Sequence, residues 1–231
     1  MKKIVFALAF MLSFCSNVYS AQPYEFVHSI AVVENQNRVD KVGFNLLNSN
    51  GIETRAVFDF HLSSTKNAYT RIGDRQIVLH KGMFNHLASD DEIAAVLAHE
   101  IAHSVDSYNG ILKGYFYSLS YTFSPKKYEY KADKKAVDYM VNAGYNPLAL
   151  IVVMNKCFPQ RRYDWYSSHP LTSRRMMEVY EYIYKKYPEY LVNNDYKDNI
   201  FYQNFLLVSK QNRAKFQKKI ETNSKRPVNY L

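Results

Sequence analysis

Cysteine, glycine and proline are scarce in this chain of 231 residues, which contains two, seven and seven of them. The few glycines and prolines, together with 47% hydrophobic residues, exclude a collagen-like or low-complexity chain and predict a globular one. Cys15 falls in an N-terminal segment that we expect to be removed, so the mature chain would keep only Cys157 and could form no internal disulfide. Because Cys157 lies in an apolar run, we predict a buried thiol.

Apolar runs long enough to span a membrane are also absent. The run at residues 4–14 falls well short of the ~20 residues that a spanning helix needs. Two lysines precede this run and a plausible cleavage site ends at Ser20, which is the pattern of a signal peptide. Lipid attachment at Cys15 is the alternative, but Phe14 is bulkier than the residue that usually precedes a lipid-bearing cysteine. We therefore predict that residues 1–20 are a signal peptide and that the mature protein is exported.

The charge of the chain is basic, with 30 lysines and arginines against 21 acidic residues. Removing the leader with its two lysines lowers the net charge from +9 to +7. A basic exported protein can make peripheral contact with an anionic membrane surface, although charge that merely solvates the surface explains the excess equally well. No stacked-aromatic or glycine-rich pattern indicates nucleic acid, so we expect no nucleic-acid partner.

Periodic apolar positions predict an α+β fold that is mostly helical, with a small sheet before the helix at residues 91–105. The predicted helices cover residues 26–47, 82–87, 91–105, 125–144, 148–157, 169–186 and about 201–220, and the predicted strands cover residues 55–62 and 75–80. There is no internal repeat. We predict one domain over residues 21–190 and a helical extension over residues 191–231 that packs on it, with loose final residues.

The most specific motif is a His-Glu-x-x-His string at residues 99–103, within a helix-forming apolar run. Positions four apart differ by only about 40° around a helix, so His99 and His103 stack on one face at a spacing suited to one metal ion. Glu100 lies beside them, close enough to act on a water held by that metal. A capping box that begins at Ser89 predicts the start of this helix. We interpret the motif as a zinc site rather than a chance string on a surface helix.

Two histidines leave a catalytic zinc one protein ligand short, because such sites use three protein ligands and a water. One large class of zinc peptidases carries the third ligand six residues after the second histidine, where this chain has Asn109, a poor ligand. Another class takes a glutamate from a following helix, and the predicted helix at 125–144 offers Glu129 and, four residues later, Asp133. We predict Glu129 as the third ligand and Asp133 as the acceptor of a proton from a ligand imidazole. On its own, this pair would suggest only an ordinary charged helix face.

Taken together, these residues resemble the HtpX-like and Oma-like zinc metallopeptidases, peptidase family forty-eight of the gluzincins. The likeness spans about residues 35–186 and rests on an ordered set of motifs. That set comprises Asn67-Ala68-Tyr69, the strand ending near Leu79, the run from Asp91 to His103, Glu129 with Ala132-Asp133, and Ser168-His169-Pro170 with Arg175. We expect an exported, periplasmic type, without the helical repeats of some relatives or the membrane helices of integral ones.

The resemblance implies a zincin-like metallopeptidase domain with a small antiparallel sheet beside the active-site helix. It also implies one zinc ion per chain, held by His99, His103 and Glu129. In such a site the zinc polarises the scissile carbonyl and activates a water, and Glu100 takes the proton of that water. The implied function is a zinc-dependent endopeptidase of the cell envelope that hydrolyses unfolded or misassembled proteins as quality control. The implied location is the periplasm of a Gram-negative bacterium.

Further expectations concern the surroundings of the zinc. The resemblance places His169 next to the metal, where it either donates a hydrogen bond to the oxyanion or caps the open zinc position; a structural role at the helix start is the alternative. Arg175 is expected to be a structural or a substrate-carboxylate anchor. We also predict that Ile77, Val78 and Leu79 form the sheet edge along which an extended substrate adds as a strand.

A zinc-binding chaperone or assembly factor of the envelope, with little or no proteolytic turnover, is the rival interpretation. Such a protein would need the zinc ligands but not Glu100, and a structural zinc is normally closed by four protein ligands. A non-proteolytic zinc hydrolase has no supporting motif. The sequence therefore favours the peptidase.

Overall fold

The computed structural model describes residues 23–53, 56–71, 74–107, 125–158 and 171–230. The chain divides into two compact units: Met1–Arg38, whose described part is helical, and Val39–Leu231. The helices are α1 (Pro23–Ser49), α2 (Lys81–Phe84), α3 (Asp90–Ser107), α4 (Pro125–Asn142), α5 (Leu148–Cys157), α6 (Thr172–Lys186), α7 (Glu189–Val192), α8 (Ile200–Val208) and α9 (Lys210–Glu221). The strands are β1 (Val57–His61), β2 (Ala68–Arg71) and β3 (Gln76–His80).

The three described strands form one small sheet in the order β1-β3-β2. Strand β3 pairs in parallel with β1 and antiparallel with β2, so the sheet is mixed and the expectation of an antiparallel sheet was wrong for one of its two pairings. Strand β2 was not predicted, because Asn67-Ala68-Tyr69 was interpreted as leading into a turn. With β2 in place, β1 and β3 are no longer joined by a simple hairpin, and a crossover allows them to run in parallel.

The central position of β3 also corrects the prediction that Ile77, Val78 and Leu79 form the substrate edge. All three side chains are buried, with exposures of at most 2%, and the strand is paired on both sides. A run that is apolar on both faces is typical of a central strand, whereas an edge strand alternates. Strand β2 does alternate between half-buried and exposed residues, and it is the edge strand that contacts α3.

Helix α3 lies in the core and contacts α4, α5, β2 and β3. Fully buried alanines, including Ala94, Ala98 and Ala102, allow these neighbours to approach its axis closely. One of the two hydrogen bonds of the predicted capping box is present at its start: the Ser89 hydroxyl accepts from the Glu92 N–H at 3.2 Å. The reciprocal bond differs from a standard capping box, since the Glu92 carboxylate accepts from the Ala88 N–H at 2.9 Å.

Helices α4, α5 and α6 complete the core around α3. Helix α5 is apolar on nearly every side and buried over most of its length, and it contacts α3, α6 and α8. Its start follows Asn146, whose side-chain oxygen accepts a hydrogen bond from the Leu148 N–H at 3.0 Å. At its end, Cys157 is a free and buried thiol, as predicted. The mostly helical α+β fold with a small sheet beside the motif helix is confirmed.

The C-terminal residues form more structure than predicted. The single helix expected over about residues 201–220 is two helices, which meet at the buried Ser209, and α8 packs on α5 while α9 packs on α6. The final described residues are not loose: Tyr230 is buried and its hydroxyl donates to the Glu181 carboxylate on α6. Lys219 of α9 donates to the same carboxylate at 2.8 Å, so Glu181 joins three segments. None of the described helices combines the length and apolar character that crossing a bilayer requires.

Candidate metal centre

Two helices bring three metal-binding side chains together. His99 and His103 lie on one face of α3, and their Nε2 atoms are 3.1 Å apart. Glu129, from the second turn of α4, directs its two oxygens at them: Oε2 lies 3.6 Å from Nε2 of His99, and Oε1 lies 3.4 Å from Nε2 of His103. The four-residue spacing within α3 and the packing of α4 on α3 therefore bring two imidazoles and one carboxylate together as a triangle of donor groups.

The size and chemistry of this triangle fit a zinc ion. Two ligands bonded at about 2.0–2.1 Å to a tetrahedral ion lie roughly 3.3–3.4 Å apart, close to the three distances observed. Within the described residues, His99, His103 and Glu129 form the one group of three or more such side chains whose donor atoms all lie within 4.8 Å of one another. Two imidazoles and one carboxylate are a donor set that catalytic zinc sites use, with a further position left for water.

Asp133 lies one turn after Glu129 and contacts the opposite side of the His99 ring. Its Oδ1 is 2.9 Å from Nδ1 of His99, at the distance of an ion pair although not along the ideal direction of a hydrogen bond. Burial alone would lower the pKa of His99, but the carboxylates of Asp133 and Glu129 raise it to about 10. These two carboxylates therefore favour a cation at this place, and Asp133 orients His99 with Nε2 towards the triangle.

Arg175, from the first turns of α6, neutralises the carboxylates from behind. It donates to Asp133 through Nε at 2.8 Å and Nη2 at 2.7 Å, and its Nη1 lies 3.0 Å from Oε2 of Glu129. Burial would raise the pKa of Asp133, but the charge of Arg175 and the contacts with Arg175 and His99 lower it overall. Arg175 as a whole is 8% exposed, and its guanidinium already contacts both carboxylates. This geometry is that of a structural anchor.

Glu100 has a partner that the sequence analysis missed. The hydroxyl of Thr70 lies 2.9 Å from both the side-chain Oε2 and the backbone carbonyl oxygen of Glu100, so it can donate its proton to either. Thr70 belongs to the edge strand β2, which runs beside α3. Its position directly after Asn67-Ala68-Tyr69 was a local signal, but nothing in the sequence pairs it with a residue thirty positions away.

The accessibility of the site differs from one side to the other. The side chains of His99 and His103 keep 14% and 15% of their surface exposed, whereas those of Glu129 and Asp133 keep 2% and 0%. The imidazoles thus border solvent while the carboxylates are closed in. His169 and Asn109, which entered the sequence analysis, lie outside the described residues, so their predicted places remain predictions.

Comparisons with known proteins show what this chain is similar to. The family model described as peptidase family M48 matches residues 34–119 and 107–183. A protein of Vibrio cholerae serotype O1, named as a beta-barrel assembly-enhancing protease, is 38% identical over 66 residues. That match covers 28% of this chain and 13% of the Vibrio protein, so the chain corresponds to a small part of this relative.

Proposed function

Because the chain belongs to peptidase family M48, we propose that it is a zinc-dependent endopeptidase with His99, His103 and Glu129 as the metal ligands. The observation that carries the proposal is the close approach of the three donor groups. The two Nε2 atoms are 3.1 Å apart, and the two Glu129 oxygens lie 3.4 and 3.6 Å from them, beside Glu100 on the helix of the histidines. The partial exposure of both imidazoles supports a catalytic site, because a structural zinc is closed by four protein ligands and needs no access for water or substrate.

The residues of the chain divide the work of hydrolysis between them. When bound, zinc supplies a Lewis acid that polarises the scissile carbonyl and makes a water more acidic. Glu100 accepts the proton of the attacking water and returns it to the nitrogen of the leaving amine, for which general acid–base catalysis is typically worth ~10²–10⁴ in rate. Asp133 orients His99, while Arg175 lowers the pKa of Asp133 and holds both carboxylates in place.

The substrates we propose are unfolded or misassembled proteins of the cell envelope. Strand β2 is the edge of the sheet nearest α3, and an extended peptide could add to it by main-chain hydrogen bonds. Only a segment free of its own fold can adopt that geometry, which favours unfolded chains over native domains. A periplasmic location is supported by the leader pattern at residues 1–20 and by the name of the Vibrio relative.

Zinc content tests the ligand assignment. We expect the purified protein to contain one zinc per chain, and Glu129→Ala or His103→Ala to lose the metal and the cleavage of an unfolded protein such as casein. Because metal binding stabilises the folded site, these variants should also melt at a lower temperature than the zinc-loaded protein. The exposed Glu221→Gln is the matched control and should keep zinc, activity and melting temperature. Full zinc occupancy in Glu129→Ala would remove Glu129 from the site.

Thr70 supplies a second test, which concerns the orientation of Glu100. Thr70→Val keeps the shape and strand preference of the residue but removes the donor to the Glu100 carboxylate. A hydrogen bond to a charged group is worth roughly 1.5–3 kcal/mol, so kcat should fall about 10–100-fold with KM and zinc content nearly unchanged. Thr70→Ser, which restores the hydroxyl, should recover most of the loss. If Thr70→Ser were as slow as Thr70→Val, the hydroxyl would not be the group that matters.

A further inference from the structure

The C-terminal helices carry aliphatic side chains on the outside of the protein. Val192 is 81% exposed, Leu207 74% and Ile200 73%. These are the three most exposed large apolar side chains in the described part of the chain, and all three fall within sixteen consecutive residues. Packing of the core does not account for them, because they contribute little buried area.

Helix α8 has two apolar faces. Tyr202 and Phe205 are buried and attach the helix to the rest of the protein. Ile200 and Leu207, seven residues apart, lie on the opposite side almost in line with each other, and Val208 beside them is 54% exposed. The outward face is therefore an aliphatic stripe of three side chains, interrupted by the exposed Gln203 and Asn204, rather than one stray residue.

The same segment is strongly basic. Residues 191–231 contain eight lysines and arginines against three acidic residues, which accounts for +5 of the net charge of +9. Lys197, Lys210 and Lys218 are exposed, and within the described residues no carboxylate pairs with their ammonium groups. Lys219, by contrast, is held by Glu181. Lys197 precedes α8 and Lys210 follows it, while Lys218 lies on α9.

We propose that Val192, Ile200, Leu207 and Val208, with Lys197, Lys210 and Lys218, form a basic aliphatic surface that binds an anionic lipid bilayer. Aliphatic side chains enter the boundary between headgroups and acyl chains, while lysines reach back to anionic headgroups. Charge complementarity selects the bilayer, since basic residues outnumber acidic ones by eight to three in residues 191–231. The exposed face of α8 also has none of the Trp, Tyr or Arg residues that dominate protein–protein interfaces.

The expected contribution of each residue is large enough to measure. A lysine next to an anionic membrane strengthens binding about fivefold, and burial of an aliphatic side chain about tenfold or more. Binding should weaken as salt rises, because the electrostatic part is screened. This surface is separate from the metal centre, so the proposal holds whether or not the protein is a peptidase.

Sedimentation with lipid vesicles tests the proposal. We expect the chain without the predicted leader, residues 21–231, to sediment with vesicles of equal parts phosphatidylglycerol and phosphatidylcholine, and to stay in solution with phosphatidylcholine alone. Ile200→Ser/Leu207→Ser should weaken binding to the anionic vesicles about 100-fold, and so should Lys197→Gln/Lys210→Gln/Lys218→Gln. The matched control, Leu62→Ser/Lys66→Gln, removes an exposed aliphatic and an exposed lysine elsewhere and should bind like the wild type.

Three results would overturn the proposal. The wild type could stay in solution with anionic vesicles, or both sets of variants could sediment as strongly as the wild type. Alternatively, size-exclusion chromatography could give a wild-type dimer that Ile200→Ser/Leu207→Ser converts to a monomer while neither form binds vesicles, which would assign the surface to a second copy. Equal melting temperatures of all variants exclude unfolding as the cause of lost binding, and equal rates on unfolded protein in solution separate this surface from the proposed peptidase activity.

Discussion

Glu100→Gln should keep its zinc and its fold and lose peptide hydrolysis, by about 10²–10⁴-fold or more. The amide is nearly the same shape as the carboxylate and can still accept the hydrogen bond from Thr70, but it cannot take a proton from the attacking water. We would measure zinc by atomic absorption and the initial rate of cleavage of an unfolded protein on the same preparation. Because the ligands are untouched, a loss of rate without a loss of zinc isolates the proton-transfer step.

The same substitution separates the peptidase from the rival chaperone or assembly factor. A zinc-binding protein without turnover would show no hydrolysis in the wild type and the same suppression of aggregation in Glu100→Gln. The exposed Glu221→Gln controls for the loss of one negative charge. If Glu100→Gln cleaved unfolded protein at the wild-type rate, Glu100 would not be the base and the proposed mechanism would be wrong.

Arg175→Met should give the largest loss of stability. The substitution preserves most of the volume but leaves Asp133 and Glu129 buried without their cationic partner. Removing one member of a buried ion pair typically costs 3–5 kcal/mol, so the free energy of unfolding should fall by about that amount. Zinc affinity should fall by about 10–100-fold as well, because Arg175 fixes the ligand Glu129 and also Asp133, which orients the ligand His99. Urea unfolding of the metal-free protein and competition with a zinc chelator measure the two effects separately.

Two controls define what Arg175 contributes. Arg175→Lys keeps the charge but cannot make the two parallel hydrogen bonds to Asp133, so it should recover only part of the stability. Arg71→Met removes an exposed arginine whose pair with Asp74 is on the surface, and it should change the unfolding free energy by less than about 1 kcal/mol. Arg175→Met with the same unfolding free energy as Arg71→Met would mean that the buried network stabilises nothing.

The sequence predicts the parts of the site that depend on local periodicity. His99 and His103 share a face because any helix places them there, and the same holds for Glu129 and Asp133 on α4. The capping signal at Ser89 and the Asn-Pro start of α5 likewise depend only on a few neighbouring residues. That α4 should lie against α3 was not derivable from periodicity. It came from the third protein ligand that a catalytic zinc needs and from the resemblance to a family.

Contacts between distant residues were harder to predict. Strand β2 is four residues long, too short for a clear pattern, and missing it led to the wrong placement of Ile77, Val78 and Leu79 at an edge. The contact of Thr70 with Glu100 depends on that strand. Tyr230 was expected to be loose because terminal residues usually are, and only the position of Glu181 in three dimensions explains its burial.

Arg175 also has a consequence for how the protein can open. Helix α6 contributes no side chain to the donor triangle, yet it cannot leave the core without stripping Asp133 and Glu129 of their counter-charge. Sub-global unfolding of α6 alone is therefore unfavourable, and α3, α4 and α6 should behave as one cooperative unit. A ligand that binds only the closed form of such a unit slows amide hydrogen exchange throughout it. Metal binding at the centre should thus slow amide hydrogen exchange along the whole of α6, although α6 supplies no metal ligand.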